Sequence, residues 1–298
     1  MKKFVVRLLI VLGLFLSVLI YILSMADGYT DAFYMRFTSP QQNNLIIGTS
    51  RAAQGLQPKV LDSILKRSIY NFAFTIAHSP YGPTYYDKIK KKLKKDIKDG
   101  FFIVAVDPWS ISSRTQDPND FENFKELKLC LGNTYSTNIN PNIEYLIRNF
   151  EGQYLTLLSQ KKSKSYLHHN GWLEVSVRMD SIANKLRLDK AINRYNKNLN
   201  AYKFSSYRLQ YLLKIVGLLK QHGEVYLVRL PIHNEIMMIE EKLMPDFDNK
   251  IAAVIESADA YFDFTNKNGG YLYTDGNHLY KDSGKLVSEQ IAILIDKK

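Results

Sequence analysis

Residues 44–51 read Asn44-Leu45-Ile46-Ile47-Gly48-Thr49-Ser50-Arg51. The apolar run predicts a short buried strand, Gly48 allows a sharp turn, and Ser50 stands where a helix would begin. A serine there lies at the carboxyl edge of a sheet with its own N–H exposed, because the first N–H groups of a helix have no internal partner. The stretch therefore pairs a candidate nucleophile with a candidate oxyanion donor, although a Ser50 that only caps the next helix would also fit.

The far end of the chain supplies the partners that such a serine needs. Residues 273–279 read Tyr273-Thr274-Asp275-Gly276-Asn277-His278-Leu279. A histidine can take the proton from a serine hydroxyl, while an aspartate orients the histidine and stabilises its protonated form. Asp-x-x-His alone is weak evidence, but the chain order Ser50, Asp275, His278 suits one site. We predict these three residues to be catalytic.

The two motifs resemble those of the SGNH/GDSL hydrolase superfamily, with Gly48-Thr49-Ser50 in place of the Gly-Asp-Ser block and Asp275-Gly276-Asn277-His278 as the last block. The resemblance runs from about residue 44 to the C-terminus. Within the superfamily, the chain is most similar to the membrane-anchored branch that includes DltD and the alginate acetylation proteins. That similarity rests on the apolar N-terminus and on the stretches at 103–109 and 228–233, which read Ile103-Val104-Ala105-Val106-Asp107-Pro108-Trp109 and Val228-Arg229-Leu230-Pro231-Ile232-His233.

The other oxyanion donors of that superfamily have no direct counterpart here. The loop after the second strand normally supplies a glycine N–H, but no glycine follows that strand until Gly82. The third strand normally ends in Gly-x-Asn-Asp, and in this chain Asp107 and Trp109 stand near the expected place. A carboxylate at Asp107 cannot donate a hydrogen bond. Trp109 can donate through its indole N–H, but it can equally form a wall of the pocket or belong to the core.

Further candidates for oxyanion or substrate binding lie in or just after predicted strands, and Arg229 and His233 are among them because ligands bind at the carboxyl ends of strands in such sheets. With those already named, these candidates are Gly48, Arg51, Asn71, Asp107, Trp109, Arg229 and His233. The adjacent His168 and His169 point in different directions on any regular element, so a metal site there would need ligands from elsewhere. The chain has no Walker loop and no Gly-x-Gly-x-x-Gly motif. We predict no cofactor and no metal.

Composition narrows the class of protein. The chain has 298 residues, 46% of them apolar, which is typical of a globular domain. Its net charge of +11 favours anionic partners such as lipid surfaces or acidic polymers. Cys130 is the one cysteine, so neither an intrachain disulfide nor a thiolate metal cluster can form. A buried structural thiol is the favoured interpretation of Cys130.

The N-terminus predicts a membrane anchor. Lys2, Lys3 and Arg7 precede a run of 18 uncharged residues from Leu8 to Met25. A bilayer needs about 20 apolar residues, and the flanking charges place the N-terminus in the cytoplasm. The run exceeds the usual length of a signal peptide's apolar region, so an uncleaved anchor is favoured over cleavage near residues 24–26. We expect a transmembrane segment at 1–26, a polar tether at 27–43 and a domain at 44–298. This describes a single-pass protein of the bacterial cytoplasmic membrane with an extracytoplasmic domain, which argues against a nucleic-acid partner.

Predicted strands and helices alternate along the domain. We expect strands at residues 45–47, 68–74, 101–106, 224–230 and 260–264, and helices at 51–67, 84–98, 142–158, 173–199, 207–222, 235–258 and 281–295. This alternation predicts an α/β fold, namely a three-layer α/β/α sandwich with a mainly parallel sheet, SGNH- or flavodoxin-like. Residues at about 111–200 predict a helical insertion that covers the sheet edge. The helix at 84–98 carries seven lysines around an apolar stripe, which predicts a solvated face or a contact with anionic lipid or polymer.

Three functions remain open at this point. The first is a membrane-anchored serine esterase or O-acyltransferase that acts on a cell-envelope glycan, with Ser50 as nucleophile, His278 as general base and acid, and Asp275 orienting the histidine. The second is a scaffold of the same fold that serves a membrane-bound acyltransferase, which the missing Gly-x-Asn-Asp block favours. The third is a polymer-binding protein that acts through the lysines at 88–98.

Overall fold

A parallel sheet of five strands lies at the centre of the domain, in the order β2-β1-β3-β8-β9. The computed structural model describes residues 1–150, 154–159, 163–267 and 269–298. Two antiparallel pairs, β4 with β7 and β5 with β6, lie outside this sheet. The strands are β1 (Leu45–Ile47), β2 (Tyr70–Asn71), β3 (Gly100–Ala105), β4 (Ser112–Ser113), β5 (Ser165–Leu167), β6 (Leu173–Val175), β7 (Lys203–Phe204), β8 (Gly223–Arg229) and β9 (Ala260–Asp263).

Helices connect these strands, so the chain belongs to the α/β class. They are α1 (Lys2–Ser24), α2 (Tyr34–Thr38), α3 (Ser50–Gly55), α4 (Pro58–Leu65), α5 (Pro83–Lys92), α6 (Cys130–Asn133), α7 (Ile143–Asn149), α8 (Leu155–Ser159), α9 (Ser181–Leu199), α10 (Ser206–Lys220), α11 (Asn234–Leu243), α12 (Phe247–Lys250), α13 (Ala252–Ser257) and α14 (Lys281–Asp296). Short 3₁₀ turns lie at Pro108–Ile111, Phe121–Asn123, Lys125–Lys128 and Thr265–Lys267.

Both faces of the central strands are buried, as their apolar sequences predict. On β3, Phe102 and Val104 join one apolar cluster, which also contains Leu212 and Val216 of α10. Phe101 and Ile103 join a second cluster, to which α14 contributes residues. Helix α10 contacts β3, β8 and α5, while α14 contacts α3 and α4. Successive strand residues therefore pack against different groups of helices.

Several predicted elements have different bounds in the structure. The helix expected at 51–67 is divided into α3 and α4, because Gln57 precedes Pro58 and is extended, as residues before proline tend to be. The helix expected at 235–258 is three shorter ones, with Pro245 following the end of α11. The strand expected at 68–74 has only the two residues of β2. These differences leave the order of strands and helices around the sheet unchanged.

The insertion also differs from its prediction. Residues 173–175 form β6, which pairs with β5 as a hairpin, and the helix expected from 173 begins only at Ser181, where the Asp180 side chain caps it. Alternating apolar and polar residues in Leu173-Glu174-Val175 suit a strand better than a helix. The helix expected at 142–158 ends at Asn149 in α7, and part of that prediction lies outside the described residues.

The prediction of a tether at 27–43 is wrong. This segment contains α2, whose residues Tyr34, Arg36, Phe37 and Thr38 are buried. Phe37 belongs to the larger apolar cluster, and Arg36 Nε donates a hydrogen bond of 3.0 Å to the Gly171 carbonyl in the β5–β6 turn. The segment is polar in overall composition, but Tyr34 and Phe37 lie three positions apart, which places them on one face of a helix. The segment therefore joins the domain to α1 through packed structure.

Helix α1 precedes this packed segment. Within it, Lys2–Leu23 is long and apolar enough to cross a membrane; an 18-residue window of this span has a mean hydropathy of 2.7, and none of that window is buried against the rest of the chain. Leu23, at its carboxyl end, packs into the larger apolar cluster. The candidate membrane helix is thus attached directly to the domain core at one end.

The lysines of α5 do not all face solvent, which corrects the prediction of a fully charged surface. Lys88 and Lys92 are buried, one helical turn apart. The Lys92 ammonium donates to the carbonyl of Ser39 at 2.6 Å and to its hydroxyl at 3.1 Å. Burial penalises the charged form and lowers the pKa of Lys92 from 10.5 to about 7.

We expect the stability contribution of Lys92 to depend on pH. The folded chain releases this proton near pH 7, whereas the unfolded chain keeps it up to about pH 10.5, so stability should rise with pH across this window. In Lys92→Met this dependence is lost. Relative to wild type, the variant should therefore be most stable below pH 7 and lose that advantage as pH rises. Urea unfolding of the full chain in detergent, at about pH 6 and about pH 9, measures the difference. The exposed Lys94→Met variant should show no such trend, and an equal trend in both would contradict the assignment.

Candidate active site

The turn between β1 and α3 places Ser50 at the carboxyl edge of the sheet. Gly48 has φ +152°, and a Cβ there would lie 2.9 Å from the Cβ of Ala105 on β3, so the position suits glycine. Thr49 is the N-cap of α3 and Ser50 is its first helical residue. The hydroxyl of Ser50 is therefore not used as the cap, and its N–H is one of the helix's unpaired first-turn groups.

The loop before α14 carries Asp275 and His278. Gly276 has φ +81°, and its carbonyl accepts a hydrogen bond of 2.8 Å from the N–H of His233 at the start of α11. The Asp275 Oδ1 accepts hydrogen bonds from the N–H groups of Asn277 and His278, both at 3.1 Å. These bonds close a tight turn that presents the His278 ring towards α3.

The three predicted residues meet across 228 positions of the chain. The distance from Ser50 Oγ to His278 Nε2 is 2.8 Å, and the distance from His278 Nδ1 to Asp275 Oδ1 is 2.9 Å. An ionised Asp275 requires the proton on Nδ1, which leaves the Nε2 lone pair free to accept from the serine hydroxyl. This is the geometry in which a histidine can act as base towards a serine.

Electrostatics keep Asp275 ionised. Burial alone would raise its pKa, but the charge of His278 and the hydrogen bonds from His278 and Asn277 hold the pKa well below the usual range. Arg194 of α9 approaches the other carboxylate oxygen at 3.6 Å from a largely exposed position. Asp275 can therefore orient His278 and stabilise its protonated form at neutral pH.

A cavity of about 660 Å³ opens beside Ser50 and His278. One part of its lining is aromatic, with Trp109 packed edge-on against Tyr195 and Tyr202 at ring distances of 5.0 and 5.4 Å. Another part is cationic and includes Arg114, Lys125 and Arg194. The site thus offers flat apolar surfaces and positive charge next to the serine.

The structure separates the weaker candidates into two groups. Arg51, Asp107 and Trp109 line the cavity with Ser50 and His278. Gly48 shapes the turn, and the buried Asn71 side chain donates to the carbonyls of Ala52 and Leu56, which fixes α3 against β2. Arg229 and His233 also lie outside the cavity lining. Arg229 is engaged by Glu240, and the N–H of His233 donates to the Gly276 carbonyl, so their part in substrate binding stays a prediction.

Asp107 and Trp109 occupy the place of the missing block at the end of β3. Asp107 caps the 3₁₀ turn by accepting from the Ser110 N–H at 3.0 Å, and burial raises the pKa of its carboxyl. The Trp109 indole is buried, and its N–H has no hydrogen-bond partner among the described residues. Trp109 therefore lines the cavity with an indole N–H that has no hydrogen-bond partner among the described residues, while Asp107 mainly stabilises the 3₁₀ turn.

Sequence reasoning missed Asn277 and the contribution of α9. Asn277 lies inside the quoted motif, and its Nδ2 is 3.2 Å from His278 Nε2, on the same ring nitrogen that contacts Ser50. Arg194, Tyr195 and Asn198 enter the cavity from α9, which lies within the predicted insertion. The position of Asn277 next to His278 in the sequence could have identified it as a site residue. The α9 residues reach the cavity only through tertiary packing, which the sequence does not reveal.

The described part of the chain contains no group of three or more His, Cys, Asp or Glu residues that could hold a metal ion. Cys130 is buried, and burial raises the pKa of its thiol well above the usual range, which makes it a poor nucleophile.

Comparison of the chain with models of known protein families and with curated proteins finds no match. Its function is therefore inferred from the geometry of its own residues.

Proposed function

We propose that the chain is a serine esterase or O-acyltransferase in which Ser50 attacks an acyl carbonyl. The observation that carries this proposal is the contact of Ser50 Oγ with His278 Nε2 at 2.8 Å, together with the bond from His278 Nδ1 to Asp275 at 2.9 Å. His278 takes the serine proton and later gives it to the leaving oxygen, and Asp275 orients His278.

The proposal includes the fold. The five parallel strands, buried on both faces, and the position of the triad at the carboxyl edge support a three-layer α/β/α sandwich of the SGNH type. The Gly48-Thr49-Ser50 turn would then correspond to the first block of that superfamily, and Asp275 to His278 to the last.

The substrate we propose is an acylated glycan of the cell envelope. The cavity beside the serine is lined by aromatic and cationic side chains, and the cations suit an acidic polymer. A helix able to cross a membrane, joined to the core at Leu23, would keep the site close to the bilayer. In this proposal the N-terminus is cytoplasmic, the domain lies outside the bacterial cytoplasmic membrane, and a membrane-bound acyltransferase is a further partner.

A fluorophosphonate probe tests the reaction type. We expect the full chain in detergent to be labelled on Ser50, identified by peptide mapping, because the probe reports a serine activated by its histidine. Ser50→Ala should show no labelling. Ser113 lines the same cavity without a histidine partner among the described residues, so it should stay unlabelled and Ser113→Ala should react like wild type. Labelling that survives in Ser50→Ala would refute the proposal.

The scaffold remains a second candidate because the block after β3 lacks its amide donor and Asp107 serves as a cap. Ser50→Ala and a deletion of the chain should be compared in cells by measuring acylation of the envelope. Equal loss in both would support the enzyme. Loss only in the deletion strain would support the scaffold.

A further inference from the structure

We infer that the side-chain amide of Asn277 is the second oxyanion donor of this site, and that Arg51 is the positioning residue that aims it. This inference rests on the proposed function. The Ser50 N–H supplies one donor at the amino end of α3, and acyl transfer of this kind normally uses more than one.

Arg51 determines which end of the Asn277 amide faces the catalytic groups. Its Nε donates to Asn277 Oδ1 at 2.9 Å. A guanidinium has only donors, so the carbonyl oxygen of the amide must face Arg51. The amide NH₂ then faces the other way, where Nδ2 lies 3.2 Å from His278 Nε2.

Arg51 is itself held firmly. It is buried, and its Nη2 lies 2.7 Å from Glu240 Oε2. The other oxygen of Glu240 lies 3.3 Å from Nη2 of the buried Arg229. Burial alone would lower the pKa of Arg51, but the charge of Glu240 raises it, so the donor is permanently charged. A chain of buried charges thus fixes the amide before any substrate binds, and preorganised donors of this kind are the effective ones.

Proton transfer to His278 frees the Asn277 amide from Nε2 at the step in which the oxyanion forms. In the resting site, the single lone pair of neutral Nε2 is shared between the Ser50 hydroxyl at 2.8 Å and Asn277 Nδ2 at 3.2 Å. During attack, Ser50 Oγ bonds to the acyl carbon, its proton moves to Nε2, and the carbonyl π pair moves onto the oxygen. Nε2 is then a donor and can no longer accept from Nδ2, so the N–H of the fixed amide is released for the new oxyanion. When the intermediate collapses, the leaving oxygen takes the proton from Nε2. The interaction is therefore stronger in the transition state than in the ground state, which is what catalysis requires.

Other donors near the serine fit less well. Asp107 is an acceptor that caps its own turn at Ser110. The Trp109 N–H has no hydrogen-bond partner among the described residues, so it has no hydrogen bond to Ser50 or His278. Asn277 alone of these three has a polar contact with the reacting histidine nitrogen.

The rate of labelling by a fluorophosphonate tests the inference, because its phosphoryl oxygen occupies the oxyanion position. In that reaction the Ser50 Oγ–P bond forms, the P–F bond breaks, fluoride leaves and His278 takes the proton. We expect Asn277→Ala and the near-isosteric Asn277→Asp to lower the maximal labelling rate by about 10²–10³-fold. Probe affinity should be unchanged. A carboxylate beside Nε2 in Asn277→Asp also shifts the pH midpoint of labelling, so the rates are compared on the high-pH plateau of each variant. Arg51→Lys, which cannot contact Glu240 and Asn277 with one planar group, should lose rate in the same way.

The controls separate failure of the inference from failure of the proposed function. Asn196→Ala, an exposed asparagine on α9, should label like wild type. If wild type and Ser50→Ala are both unlabelled, or both labelled, the proposed function fails. If Ser50→Ala is unlabelled while both Asn277 variants label at the wild-type rate, the oxyanion role of Asn277 is refuted and the proposed serine esterase or O-acyltransferase function stands. A rate loss in the Asn277 variants that disappears on the high-pH plateau, or a rate loss confined to Trp109→Phe, would also overturn the inference. Thermal unfolding identifies a misfolded variant, and Asn277→Asp keeps the test valid if Asn277→Ala does not fold.

Discussion

Substitution of His278 by alanine is expected to slow labelling of Ser50 by about 10⁴-fold or more, the largest loss from any change that leaves the nucleophile in place. The reason is that Ser50 has its contact to Nε2 at 2.8 Å as the route for its proton. Without that acceptor, the serine remains a neutral hydroxyl. Second-order labelling rates of the full chain in detergent measure the effect. His169→Ala removes an exposed histidine from the β5–β6 turn and should leave the rate unchanged.

Asp275→Asn should approach the same loss, about 10⁴-fold, because an amide can present its NH₂ to Nδ1 and stabilise the wrong tautomer of His278. The carboxylate of Asp275 is ionised far below neutral pH, so wild-type activity should not fall through its protonation above about pH 5. Asp282→Asn, an exposed change in the first turn of α14, serves as the control. Wild-type rates in His278→Ala or in Asp275→Asn would show that the contacts are structural.

The centre of this site was predictable because its signals are local. Gly48 and Ser50 follow a short apolar run, and Asp275 and His278 lie within one turn of loop. The structure brings these two local motifs together, and the alternation of strands and helices predicted that both would lie at one edge of a parallel sheet.

The surroundings of the site were not predictable in this way, because they depend on tertiary packing. Lys92 belongs to a lysine run and yet is buried, since Ser39 from the preceding segment supplies its acceptors. Arg229 is the last residue of β8, a position that suits a binding residue, but a carboxylate on α11 engages it. Tyr195 reaches the cavity only because α9 packs beside Trp109. Periodicity cannot identify such partners across long stretches of chain.

The same long-range packing leads to the largest expected effect on stability, the loss of Glu240. This residue on α11 is fully buried and lies between the guanidinium groups of Arg51 and Arg229. Glu240→Ala would leave two buried cations without their shared counter-charge. Breaking a buried ion pair from one side typically costs about 3–5 kcal/mol, and we expect the free energy of unfolding to fall by that amount. Urea unfolding of the full chain in detergent at neutral pH measures it, with the exposed neighbour Glu241→Ala as the matched control.

A double substitution distinguishes an uncompensated charge from lost packing. In the first case, the loss of stability in Glu240→Ala is caused by the buried Arg51 cation, which no longer has a counter-charge. Adding Arg51→Met should then restore part of the free energy of unfolding, because an apolar side chain of similar length needs no counter-charge. Arg229 retains Asp248 and Asp263 at 3.8 Å, so it depends less on Glu240. The double variant should nevertheless label Ser50 about 10²–10³-fold more slowly, since nothing then orients the Asn277 amide. If Glu240→Ala costs no more than Glu241→Ala, or if Arg51→Met only adds to the loss, the buried charges do not support the site as inferred.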